Sequence, residues 1–174
     1  MDELTGLLES VRSGDKTAFT VLYENMKKPL FTIILHITRD FVLAEDILQE
    51  LFLKIFLSPP ENIKNPRAYM CKIAHNMAID SIRKQKSDVE LDDLESDGAG
   101  QHAWQPQEEL AAKLDIENAV MALAERERMI VTLHLNGGLK FREVAKTLEI
   151  PLGTALWSYR KAIGQLRNIL GGVE

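Results

Sequence analysis

Asp46 and Glu50 stand four residues apart, a spacing that puts two carboxylates on one helix face, where they could share a divalent cation. With Asp80 they would supply the acids of a metal-dependent hydrolase. The histidines weigh against that chemistry. His36, His75, His102 and His134 show no H-x-x-x-H spacing and none sits on the Asp46 helix, so core or surface imidazoles suit them better than ligands. Cys71, the single cysteine, reads as a helix residue rather than a nucleophile, and no pattern calls for a metal, a cofactor or a small-molecule substrate.

Binding chemistry fits the remaining polar groups better. Asp46, Gln49 and Glu50 around Leu53 make a polar rim with an apolar centre, which suits a protein contact and equally an ordinary solvated face. Lys72, Asn76 and Arg83, flanked by His75, Asp80, Lys84 and Lys86, bring cations that can neutralise phosphates to the same face as an amide that can bond a base edge. A basic helix end also complements the helix dipole. Leu139 to Ala162, LKFREVAKTLEIPLGTALWSYRKA, reads as two short amphipathic helices meeting at Glu149 and Ile150, the layout of a helix-turn-helix. Val144, Ala145 and Leu148 would face inward from the first helix and Leu152, Ala155, Tyr159 and Ala162 from the second, leaving the opposite face free for a major groove.

Apolar spacing of three and four without strand-like alternation makes the elements that position these groups helical throughout. Asp2 to Ser13 forms a helix stopped near Gly14, and Asp15 caps a second through Phe19, Leu22 and Tyr23, which Pro29 breaks or kinks. A third carries Phe31, Ile34 and Leu35. The fourth, Val42 to Leu57, buries Ile47, Leu48, Leu51, Phe52, Ile55 and Phe56. Asn65-Pro66 starts a fifth that runs to about Lys84 with Tyr69, Met70, Ile73, Ala74 and Met77 on one stripe. Pro106 opens a helix to about Leu123, Glu125 to Leu135 forms another, and Gly137-Gly138 turns the chain into the helix pair.

The net charge of −5 is misleading for a nucleic-acid binder until it is mapped. Asp88, Glu90, Asp92, Asp93, Glu95 and Asp97 fall in a stretch to Gln107 that holds no Lys or Arg, the composition of a flexible solvated linker. The expected fold is therefore all-α, with two small helical domains, residues 1–87 and 108–174, joined by an acidic linker over 88–107. The acidic start MDELTGLLES lacks an export signature, and the apolar run Leu30 to Ile37 is far short of the roughly 20 residues that cross a bilayer, so a cytoplasmic location is expected.

Three stretches carry a family likeness. Ala44 to Lys54 (AEDILQELFLK), Asn65 to Tyr69 (NPRAY) and Ile73 to Asp80 (IAHNMAID) closely resemble the second conserved region of extracytoplasmic-function (ECF) sigma factors. Glu143-Val144-Ala145, Ile150 to Thr154 and Leu166-Arg167 look like their fourth region. The resemblance implies that the chain binds core RNA polymerase, directs it to promoters and helps open DNA, without being an enzyme itself. It assigns Asp46, Gln49, Glu50 and Leu53 to the clamp helices of the polymerase largest subunit. Lys72, Asn76, Arg83, Lys84 and Lys86 fall to the minus-ten element, and the loop from Ser58 to Arg67 to capture of a flipped base. That loop holds no aromatic residue, so Asn62, Asn65 and backbone groups would read the base by hydrogen bonds. Pro151, Gly153, Thr154, Trp157, Ser158, Arg160 and Lys161 fall to the minus-thirty-five element. Further implied partners are the polymerase flap and an anti-sigma factor, through which alone the chain would meet a membrane.

The helix pair departs from the family pattern. After Gly153-Thr154 the family usually runs valine, lysine, serine, arginine, whereas this chain has Ala155, Leu156, Trp157 and Ser158. Two cations are missing, which should flatten the salt dependence of DNA binding by about two log-log units. Leu156 and Trp157 are expected on the outer face, against thymine methyls or, as the preferred reading, against a protein. Glu149 stands where the family often has glycine, which is tolerable if the turn needs no positive φ. A sigma-like regulator with altered or lost minus-thirty-five recognition is the alternative. The linker could also fold over Arg83, Lys84 and Lys86 in the free protein and compete with DNA.

Overall fold

The computed structural model describes residues 3–89 and 108–171, so the acidic stretch from Glu90 to Gln107 and its proposed contact with Arg83 and Lys84 lie outside the described residues. The order is α1 (Glu3–Arg12), α2 (Lys16–Thr38), α3 (Phe41–Leu57), α4 (Pro66–Val89), α5 (Glu108–Met121), α6 (Glu125–Leu135), α7 (Phe141–Thr147) and α8 (Leu152–Gly171). Local chemistry sets the starts. Asp15 accepts from the Thr17 and Ala18 amides at 2.8 and 3.1 Å, Asp40 from Leu43 at 3.0 Å, and Asn65 from Ala68 at 3.0 Å.

Pro29 does not break the chain as expected: α2 runs through it. A proline inside a helix costs about 3 kcal/mol. The helix buries Leu22, Met26, Leu30, Ile33 and Ile34 without residual exposure, and at about 1.5–3 kcal/mol per side chain that burial outweighs the lost hydrogen bond. This long helix is the axis of the N-terminal half, packed on α1, α3 and α4.

The same axis also meets α6, and one apolar core runs from Leu22 and Met70 across to Met129, Ile130, Leu133 and Val144. The seam between the halves is sealed by polar groups. His36 is 1% exposed, and its Nδ1 lies 2.7 Å from Thr132 Oγ1, whose hydroxyl donates to the Arg128 carbonyl at 2.8 Å. With that proton engaged, Nδ1–H is the donor to the threonine. His36 Nε2 meets the Glu117 carboxylate. Arg128 Nε donates to the His36 carbonyl at 3.0 Å, and its Nη1 to the Leu123 and Met121 carbonyls at 3.1 and 3.3 Å.

Candidate nucleic-acid interface

On α3, Ala44, Ile47, Leu48, Leu51, Phe52 and Ile55 are buried, while Asp46, Gln49, Glu50 and Leu53 all stand exposed on the other side. Phe56 departs from expectation, at 42% exposure with its ring against Phe19. It follows Ile55 on the helix and so turns away from the core. Glu50 pairs with Lys54 at 2.8 Å, an exposed contact worth little. Asp46 and Glu50 are not joined by other acids, and no three His, Cys, Asp or Glu come together as a metal site among the described residues.

The polar face of α4 opens onto a cleft of about 340 Å³. His75, Asn76, Ile79, Asp80 and Arg83 form one wall, and Thr147, Leu148 and Glu149 of the helix-turn-helix form the other. Arg83 and Lys84 are exposed and Lys72 is half-buried; the side chain of Lys86 lies outside the described residues. Burial pushes the His75 imidazole below its ordinary pKa, opposed by the hydrogen bond that its Nδ1 donates to Asn76 Oδ1 and by nearby Glu125 and Glu149.

The loop between α3 and α4 holds Asn62 exposed and at φ +55°, a left-handed conformation that asparagine tolerates. Beside it lies a pocket of about 310 Å³ shared with Thr5, Glu9 and Arg12 of α1. Asn65 is committed elsewhere: its Oδ1 caps α4 while its Nδ2 donates to Glu143 Oε1 at 2.5 Å. The expectation that it reads a base therefore does not fit this closed arrangement. Glu143 Oε2 in turn accepts from the Lys140 amide at 2.7 Å, so one carboxylate caps α7 and ties it to α4. Nearby, Arg67 donates to the Gly137 carbonyl at 3.4 Å. Gly137 must be glycine, since a Cβ there would stand 2.5 Å from the Leu133 carbonyl oxygen. Cys71 is buried, and burial raises its thiol to about 12, which leaves it protonated and unreactive.

On α8 the inward face is Ala155, Ser158 and Ala162, with Tyr159 half-buried and packed on His134 and Phe141. Ser158, at 1% exposure, is thus a packing residue and is not free to reach DNA, because it lies beside Ala155 and Ala162 on the helix. Leu152, expected inside, is exposed in the first turn. Pro151, Gly153, Trp157 and Arg160 are exposed and Thr154 is half-buried, all on the outer side. Lys161 is held by Glu127 of α6 at 2.8 Å, an interaction with no signal in the sequence. The turn before α8 places Glu149 at φ +55°, so it does need the left-handed conformation, and this glutamate is strained there.

Two bundles of this kind, the second closed by a helix-turn-helix, match known sequence patterns. Residues 22–88 match the family pattern described as Sigma-70 region 2, and residues 108–155 that described as Sigma-70, region 4. The chain is 24% identical to the ECF RNA polymerase sigma factor SigK of Mycobacterium ulcerans over 97% of its own length and 94% of that protein. It is 25% identical to the ECF RNA polymerase sigma factor SigW of Bacillus subtilis over 94% of each. The chain belongs to the ECF sigma factors.

Solved structures share the fold of this ECF sigma factor. The sigma factor RpoE in complex with the anti-sigma factor NepR from Bartonella quintana superposes with a TM-score of 0.67 at 19% identity, covering 90% of this chain and 98% of RpoE. CnrH in complex with the cytosolic domain of CnrY gives 0.66 at 15% identity over 99% and 100%. The polar contacts between elements of this sigma factor that the sequence left without a role are those of Glu143, Arg67, Arg128 and Glu127. Only Glu143 carried a local sign, three residues after Lys140 at the start of an apolar helix.

Proposed function

We propose that this sigma factor joins core RNA polymerase through the outer face of α3, with Asp46, Gln49, Glu50 and Leu53 against the clamp helices of the largest subunit and the α5–α8 half reaching the flap. The division into residues 1–87, 88–107 and 108–174 goes with this reading. Pro151, Gly153, Thr154, Trp157 and Arg160 meet the minus-thirty-five duplex. Lys72, Asn76, Arg83, Lys84 and Lys86 hold the minus-ten strand, and the pocket beside Asn62 receives a base rotated out of the stack. Capture exchanges a few kcal/mol of stacking and pairing for pocket contacts, which opens DNA without hydrolysis. The polymerase makes the nucleotide bonds; this chain supplies position and strand separation, and works in the cytoplasm beside it. An anti-sigma factor is the proposed regulator, as NepR partners RpoE and CnrY partners CnrH.

The carrying observation is Leu53, 55% exposed among three polar side chains on a helix that buries six other apolar residues. Such a leucine gains from a partner's cover. In this reading the seam opens on promoter binding, since the cleft on the polar face of α4 is walled on its other side by Thr147, Leu148 and Glu149. Glu50→Lys is expected to abolish co-elution with core polymerase and run-off transcription from a genomic promoter library. Retained polymerase binding would overturn the α3 assignment, and absence of specific initiation by the unaltered chain would overturn the sigma reading.

A further inference from the structure

We infer that Trp157 selects an upstream promoter base, packing its indole on a thymine methyl group in the major groove, and that Glu127 and Lys161 hold the ring in position. This rests on the proposal that α8 enters promoter DNA. At 100° per residue the helix surrounds Trp157 with Gly153, Thr154, Arg160, Lys161 and Gly164. Neither glycine has a neighbouring atom within 4 Å of where a Cβ would sit, so the indole stands clear, at 63% exposure. Leu156 is half-buried, which leaves one aromatic ring rather than the wider apolar patch that a protein partner would cover. This reverses the preference drawn from sequence. The methyl of thymine is the one apolar group on the major-groove edges, and an indole, with a single N–H and no acceptor, matches it better than it matches any donor–acceptor pattern.

The ring is also oriented. Lys161 Nζ lies 5.5 Å from its centroid and 2.8 Å from Glu127 Oε1, and that carboxylate side chain is 7% exposed on α6. The lysine is therefore anchored in a neighbouring helix and braces the indole by a cation–π contact. Its charge is answered by Glu127, which leaves Arg160 as the outer cation for phosphate.

Holoenzyme reconstituted with the full chain should select promoters carrying thymine at one fixed upstream position. Replacing that thymine by deoxyuridine removes only the methyl and should weaken binding about fourfold, the burial of one methylene-sized group. Trp157→Ala should remove the thymine–deoxyuridine difference, Trp157→Phe should keep most of it, and Glu127→Gln should reduce it while promoter-specific initiation persists. Equal binding of both bases by the unaltered holoenzyme, or an undiminished difference in Trp157→Ala, overturns the inference. An unaltered holoenzyme with no promoter preference instead overturns the sigma reading beneath it.

Discussion

The α4 and α8 faces are both proposed to meet DNA, yet they use opposite resources. On α4 the groups are charges and an amide, Lys72, Asn76 and Arg83, and Asn76 and Arg83 line a cleft whose other wall belongs to the other half. On α8 the outer face is open, but its charge is depleted: Lys161 is engaged by Glu127, and Leu156 and Ser158 stand where the family usually has lysine and arginine. One face carries its charges beside a cleft shared with the other half, and the other stands open with little free charge. Affinity would then come from the N-terminal half and selectivity from the C-terminal half, with the seam deciding when the first is available.

Releasing the seam breaks this contrast most severely. Arg128→Met leaves the His36, Leu123 and Met121 carbonyls short of a donor and should cost about 3 kcal/mol in denaturant melts. If access limits α4, the folded fraction of the variant should bind a minus-ten oligonucleotide more tightly than the unaltered chain; unchanged affinity would show that the cleft is no obstacle. Next in size, Lys72→Ala with Arg83→Ala should weaken that oligonucleotide about tenfold and flatten the salt slope by roughly 1.4 log-log units, at about 0.7 per single-strand phosphate contact. Arg160→Ala should move the duplex slope by only about 0.9. Equal slopes for the two faces would erase the distinction.

Smaller effects sharpen it. Glu149→Gly should stabilise the chain by about 1 kcal/mol, since glycine adopts the φ of +55° without strain, and it removes an acid from the wall facing Asn76 and Arg83. Thermal melts read the first effect and oligonucleotide titration the second. The least effect is a pH dependence. The His36 hydrogen bond holds the Glu117 carboxyl below its ordinary 4.5, and the Lys161 hydrogen bond does the same for Glu127. A lowered carboxylate pKa contributes stability above the unfolded value and loses it as pH falls through the folded one. Melting temperature should therefore drop below about pH 4.5, less steeply in Glu117→Gln and Glu127→Gln.

Local rules carried the sequence reading far. Helix starts at Asp15 and Pro66, the turn at Gly137 and Gly138, and the exposed face of Asp46, Gln49, Glu50 and Leu53 follow from capping and a 3.6-residue period. Pro29 failed because a local penalty was outweighed by burial that only the assembled core supplies. Ser158 and Leu152 were misplaced because the buried arc of α8, Ala155, Ser158 and Ala162, is rotated around the helix toward Ser158 and away from Leu152. The seam was illegible for a plainer reason: His36 and Thr132 are 96 residues apart and Asn65 and Glu143 are 78 apart, and nothing local announces such pairs. A histidine inside the most apolar run of the chain was the one hint.

Asn65 gives the parting of the halves a further meaning. Its carbonyl oxygen fixes the first turn of α4 and its amide nitrogen grips Glu143. Separation would cost it the second bond and leave the first, so the loop would keep its helix cap while a donor now spent within the protein is released beside the residues that line the pocket of Asn62. In the proposed opening, the same movement that makes room for a nucleic-acid strand would set free a hydrogen-bonding group to receive it.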